Sequence, residues 1–171
     1  MDFDRINWTV GIHQAGNMIV GIIGSDGEIG DEQRSNAEAV GRLVAERGSI
    51  VVCGGLAGVM EAACKGAKSA GGLTIGVLPT MEKESANPYV DIPIVTGMGV
   101  ARNVIIVRTA DVLIAVGGRF GTLSEIAHAL SMGKKVVSLK SWECLGFEEP
   151  PEGMIFASTP EEAVQLAFGD V

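Results

Sequence analysis

The chain has 171 residues, enough for one compact domain with its own core and short for two. Hydrophobic residues make up 47% and charged residues 20%, a globular balance that excludes a disordered chain. Thirteen basic against 21 acidic residues leave a net charge of −8, which argues against a general nucleic-acid binder with a broad basic face.

Residues 1–18 open the chain, and Thr9 to Ile12 reads as an extra strand pairing with Ile19 to Ile23 through a turn at Gln14 to Asn17. Ile19 to Ile23 is an unbroken apolar run, read as a buried strand. Asp31 to Arg47 carries Ala37, Val40, Leu43 and Val44 on one face and predicts a helix, stopped by Gly48. Ser49 to Cys53 is the second strand. Gly54-Gly55-Leu56-Ala57-Gly58 then turns into a helix ending near Gly71-Gly72, with Val59, Met60, Ala63, Cys64 and Ala67 as its apolar stripe. Leu73 to Leu78 is the third strand, closed by Pro79, and Thr80 to Pro88 is a polar loop.

Ile92 to Val95 is a short fourth strand whose Pro93 suits a sheet edge or a strand end. Gly99 to Thr109 predicts a helix, and Asp111 to Val116 the fifth strand. Gly121 to Met132 predicts a helix with Leu123, Ile126, Ala127 and Leu130 as its apolar stripe. Lys135 to Leu139 is the sixth strand and Met154 to Ala157 the last. Thr159-Pro160-Glu161-Glu162 opens a final helix with cap, proline and acids in favoured places.

These strands are continuously apolar rather than alternating, so each is covered on both faces, as in a parallel sheet. Strand and helix also alternate along the chain. The expected fold is therefore α/β: a Rossmann-like, doubly wound parallel sheet in three αβα layers, forming one domain over residues 1–171. Ligands of such sheets bind beyond the carboxyl ends of the strands. That rule selects four turns: Gly24 to Gly30, Gly54 to Gly58, Pro79 onward, and Gly117 to Thr122.

The strongest of these is Gly117-Gly118-Arg119-Phe120-Gly121-Thr122, followed by Leu123-Ser124-Glu125. Glycines let backbone amides approach a phosphate, and the next helix offers free N–H groups at its positive dipole end. Thr122 adds a hydroxyl. Thr122-x-x-Glu125 equally spells a capping box, in which both residues would only start the helix. Gly54, Gly55 and Gly58 form a second turn of this kind, and Gly24 and Ser25 a third. The dinucleotide fingerprint G-x-G-x-x-G is absent, which disfavours NAD in the usual Rossmann mode. Arg102, at a predicted helix start, suits phosphate or carboxylate contact. His13 and His128 are read as packing or surface residues. No metal-ligand cluster and no Gly-x-Ser-x-Gly elbow is visible, and Cys53, Cys64 and Cys144 read as free thiols of a reducing cytosol. No apolar run reaches the roughly 18 residues of a membrane span, and residues 1–4 lack the pattern of a signal peptide. A cytoplasmic protein is expected.

Three segments resemble the LOG-like family: Gly54-Gly-Leu-Ala-Gly-Val-Met60, Ala101-Arg102-Asn103, and Gly117-Gly-Arg-Phe-Gly-Thr-Leu-Ser-Glu125. Its members include cytokinin-activating phosphoribohydrolases, many of them labelled lysine decarboxylase. Lys65 to Pro79 and Asp91 to Arg102 are most similar to the molybdenum cofactor carrier branch. The hydrolases carry Pro-Gly-Gly-x-Gly-Thr-x-x-Glu and an Arg-Lys pair. Here Val116 replaces the proline and Asn103 the lysine, while Glu125 and Arg102 match the catalytic pair. No pyridoxal-binding lysine motif supports lysine decarboxylation.

The resemblance implies a phosphate-anchored binder of a nucleotide or phosphorylated pterin. The alternative is an enzyme hydrolysing the N-glycosidic bond of nucleoside 5′-monophosphates, with Glu125 and Arg102 catalytic. The ligand set expected is Gly24, Ser25, Gly54, Gly55, Gly58, Gly117, Gly118, Arg119, Phe120, Gly121 and Thr122. No metal and no required cofactor is expected; a nucleotide or the molybdenum cofactor would be bound as ligand. Neither nucleic acid nor membrane is an expected partner, and the resemblance implies a homodimer or higher homo-oligomer.

Overall fold

Seven strands, each parallel to its neighbours, form one sheet in the order β4-β3-β2-β1-β5-β6-β7. They belong to a computed structural model that describes residues 18–142 and 149–169. The strands are β1 (Ile19–Gly24), β2 (Ile50–Cys53), β3 (Thr74–Leu78), β4 (Ile92–Val95), β5 (Val112–Val116), β6 (Val136–Leu139) and β7 (Met154–Ala157). The helices are α1 (Asp31–Glu46), α2 (Val59–Ser69), α3 (Asn103–Thr109), α4 (Phe120–Ser131) and α5 (Pro160–Phe168). The predicted pairing of Thr9 to Ile12, together with His13 and Cys144, lies outside the described residues.

The central strands are apolar at every position because both faces are covered. In β5, Val112, Ile114 and Val116 join one core cluster, while Leu113 and Ala115 join the other. The first cluster lies under α1, α2 and α5, through residues such as Val40, Val59 and Val164. The second lies under α3 and α4, through Ile106 and Ile126. This is the expected three-layer Rossmann-like arrangement. Helices α1 and α2 cross backbone to backbone: a Cβ on Gly41 would sit 2.0 Å from the Ala63 carbonyl oxygen. Among the described residues, strand β4, which holds Pro93, pairs only with β3 and forms the sheet edge, where a missing N–H is tolerated.

Two expectations are corrected. The segment from Gly99 to Thr109 is not one helix but a 3₁₀ turn, Gly99–Arg102, feeding α3. Of the stripe expected on α4, Ile126 and Leu130 pack on the core, but Ala127 is exposed and the buried face also carries Thr122 and Glu125. The face is shifted because its first two turns border a cavity, which Thr122 and Glu125 line, instead of the core. Among the described residues, no helix is long and apolar enough to cross a membrane.

Candidate functional site

From β1 the chain builds outward through β2 and β3 to β4, then returns to place β5 on the other side of β1. The strand order thus reverses between β1 and β5, and a crevice opens beyond their carboxyl ends. A cavity of about 420 Å³ occupies it, lined by Gly24, Ser25, Gly54, Arg102, Asn103, Arg119, Gly121, Thr122 and Glu125 among others. A second, of about 780 Å³, lies beside it toward the start of α1 and shares Ser25 and Arg119.

The 3₁₀ turn delivers Arg102 to this crevice at only 8% exposure. Its Nη2 donates to the Gly54 carbonyl oxygen at 3.5 Å, and its Nη1 donates to Asn103 Oδ1. Nη1 is also 3.8 Å from Glu125 Oε1. The buried Nε has no partner among the described residues. A buried donor left unmade costs on the order of 1–3 kcal/mol. Burial lowers its pKa, and the Glu125 charge opposes that shift.

Glu125 stands in the second turn of α4 at 6% exposure. Burial pushes its pKa up to about 7, with Arg102 pulling the other way. The carboxyl therefore titrates well above the ordinary carboxylate range. The capping-box reading of Thr122 and Glu125 does not hold: Arg119 is the N-cap of α4, and no side chain caps the helix. A related side-chain cap does form at α5, where Thr159 Oγ1 accepts from the Glu162 amide and Glu162 Oε2 accepts from the Ser158 amide just before the cap.

An uncapped α4 leaves the amides of Phe120, Gly121 and Thr122 without intrahelical acceptors. Gly121 and Thr122 line the smaller cavity, and nothing lies within 4 Å of where a Gly121 Cβ would be. Gly117 and Gly118 turn the chain into the helix with φ of 56° and 128°. A Cβ on Gly118 would meet the Thr122 side chain at 2.6 Å. Phe120 is 80% exposed, its ring 5.8 Å from that of Trp142, whose Nε1 donates to the Arg119 carbonyl oxygen.

The other sequence-derived residues divide. Gly24, Ser25 and Gly54 border the smaller cavity, whereas Gly55 and Gly58 line neither. A Cβ on Gly55 would strike Leu78 at 2.7 Å, and one on Gly58 the Ser25 carbonyl oxygen at 2.4 Å. His128 is exposed and lines neither cavity. Cys53 and Cys64 are free, buried thiols behind the β2–α2 turn, 3.5 Å apart. Sequence reasoning missed Asn103, which holds Arg102, and Gln33, whose Nε2 donates to the Val116 carbonyl oxygen at 3.1 Å. Asn103 was signalled by its place beside Arg102; for Gln33 there was no local signal.

Residues 17–164 match the model of the SLOG cluster4 family. The chain belongs to that family. An uncharacterized protein of Archaeoglobus fulgidus is 52% identical over 88% of this chain and 95% of its own. A molybdenum cofactor binding protein of Rippkaea orientalis has a similar structure, with TM-score 0.82 and 40% identity over 90% of this chain and 96% of its own. The molybdenum cofactor carrier protein of Chlamydomonas reinhardtii gives 0.77 and 36% over 88% and 96%. A cytokinin riboside 5′-monophosphate phosphoribohydrolase of Mycobacterium tuberculosis is 34% identical over 62% of each chain, so the match spans under two thirds of that enzyme. The SLOG cluster4 chain thus shares its architecture, nearly end to end, with cofactor-binding proteins, and a shorter segment with hydrolases.

Proposed function

We propose that the protein binds a small phosphorylated ligand, a phosphopterin such as the molybdenum cofactor or a nucleotide, and holds it without turnover. The observation that carries this reading is the uncapped start of α4, whose Gly121 and Thr122 border the same cavity as the buried Arg102. Oriented amides at a positive helix end and a buried guanidinium together form an anion site. Arg119 adds a cation at the cavity wall. The long, full-length likeness to cofactor-binding proteins supports a carrier over a hydrolase.

A second reading rests on Glu125. A buried carboxyl titrating near 7 beside an arginine suits the work of a glycosidic hydrolase, in which the ionised form stabilises a cationic sugar. Against it, Asn103 stands where the hydrolase pattern has lysine, and it engages Arg102.

Thermal melts with phosphopterins, nucleoside 5′-monophosphates and inorganic phosphate test the binding reading. A rise in melting temperature is expected, by mass action on the folded state; no rise with any of them sinks it. Incubation with AMP, assayed for free base and ribose 5-phosphate, separates the two readings. No product is expected. Multiple turnovers that vanish in both Glu125→Gln and Arg102→Ala would establish the hydrolase.

A further inference from the structure

The two cavities meet along the turn that supplies the amides. Gly117 and Gly118 border only the larger one, Gly121 and Thr122 only the smaller, and Arg119 both. Ser25, 7% exposed, faces both from the end of β1. The smaller lobe is lined by the buried Arg102. The larger is walled by the apolar Ile29, Leu139 and Trp142, the amides Gln33 and Asn36, and the charged Glu28, Glu32 and Lys140. Pockets for single small ligands run roughly 300–1,000 Å³. At about 420 and 780 Å³, each lobe has room for a ring system of its own.

From this we infer that the site takes a two-headed ligand: a central phosphate ester or pyrophosphate on the Gly117–Thr122 turn, with a ring system in each lobe. This rests on the phosphate-binding reading above and adds the ligand's class. A dinucleotide, or a phosphopterin joined to a nucleotide, has that form; a mononucleotide fills one lobe only. The central anion sits over the α4 amides, where the helix dipole is strongest. Each ring then leaves on its own side of the β1 end. In the larger lobe Trp142 supplies an apolar, aromatic wall, and Asn36 and Gln33 supply amides able to read a heterocycle's edge. The position agrees with where open α/β sheets accept two-part nucleotides, across the point at which strand order reverses. The chain does so without the G-x-G-x-x-G turn.

Calorimetric titration of the full chain with AMP, GMP, a hydroxymethylpterin phosphate, diadenosine pyrophosphate and diguanosine pyrophosphate tests this. At least one dinucleotide is expected to bind ten-fold or more tightly than its mononucleotide. Glu28→Trp, at an exposed position bordering the larger lobe, should erase that advantage and leave mononucleotide affinity unchanged. Glu32→Trp, exposed on the same lobe, serves if Glu28→Trp does not fold. Equal affinity for one-ring and two-ring probes, or equal losses for both in the lobe variant, overturns the two-headed ligand and leaves the single phosphate site standing. Binding of the pterin phosphate or mononucleotides without any dinucleotide binding does the same. No binding of any probe overturns both readings.

Discussion

The β2–α2 and β5–α4 turns look alike in sequence, each a glycine-rich run from an apolar strand into a helix, and they do opposite things. In the first, protein atoms already occupy the space beside the glycines. Arg102 fills the place of a Gly54 Cβ, Leu78 that of Gly55, and the Ser25 carbonyl that of Gly58. In the second, Gly117 and Gly118 are pressed against Gln33 and Thr122, but beside Gly121 the space is open. The first turn is a packing joint that sets where Arg102 sits; the second presents amides to a cavity. A glycine run after a strand marks a close approach, and only the structure says whether the visitor is protein or ligand.

The sharpest way to break this comparison is at Gly58. With φ of 66° and a backbone oxygen 2.4 Å from where a Cβ would stand, Gly58→Ala combines left-handed strain with overpacking. It should cost about 3 kcal/mol or more, read from urea denaturation. A loss under about 1 kcal/mol would show that this turn is looser than a packing joint.

Next in size is the pH response of Glu125, on the wall the two turns share. Its folded pKa of about 7 lies above an ordinary carboxyl, so the unfolded chain releases this proton first. Stability is then fully present below about pH 4.5 and falls as the pH rises to 7, by up to about 3 kcal/mol. Glu125→Gln should flatten that slope. An anion bound nearby raises the carboxyl's pKa further, so ligand affinity should weaken above pH 7 in the wild type and less so in the variant. A wild-type slope that Glu125→Gln leaves unchanged would assign the effect elsewhere.

Gly121→Ala separates folding from binding. The position is helical and open, so alanine should add about 0.5–1 kcal/mol of stability. The same methyl stands at the amides and should weaken phosphate-ligand binding ten-fold or more. Unchanged affinity would move the anion off this turn. The smallest effect is expected at the helix whose Thr-x-x-Glu does close a cap. Thr159→Ala should cost about 1 kcal/mol with no change in ligand binding.

The strand and helix order was legible because periodicity reports burial. Ile19 to Ile23 and Val112 to Val116 carry no polar side chain because two layers of helices cover them, and Pro93 suited the edge strand. Arg102, Thr122 and Glu125 were legible as a group only through the resemblance to a family. The side on which α4 faces inward was not, because its inner face carries Thr122 and Glu125 where a hydrophobic pattern looks for leucine. Nor was the difference between the glycine turns. Gly55 meets Leu78 and Gly117 meets Gln33, partners far away in sequence.

The unpartnered Nε of Arg102 reaches beyond the site itself. A charged donor left unsatisfied in the interior is a weak point of the empty fold. On the proposed binding reading, a ligand beside this guanidinium stabilises the folded state, so the filled molecule opens less often than the empty one. In a cell that degrades whatever opens, occupancy would set lifetime: the empty form is cleared while the filled form persists, and the pool of protein follows the supply of its ligand.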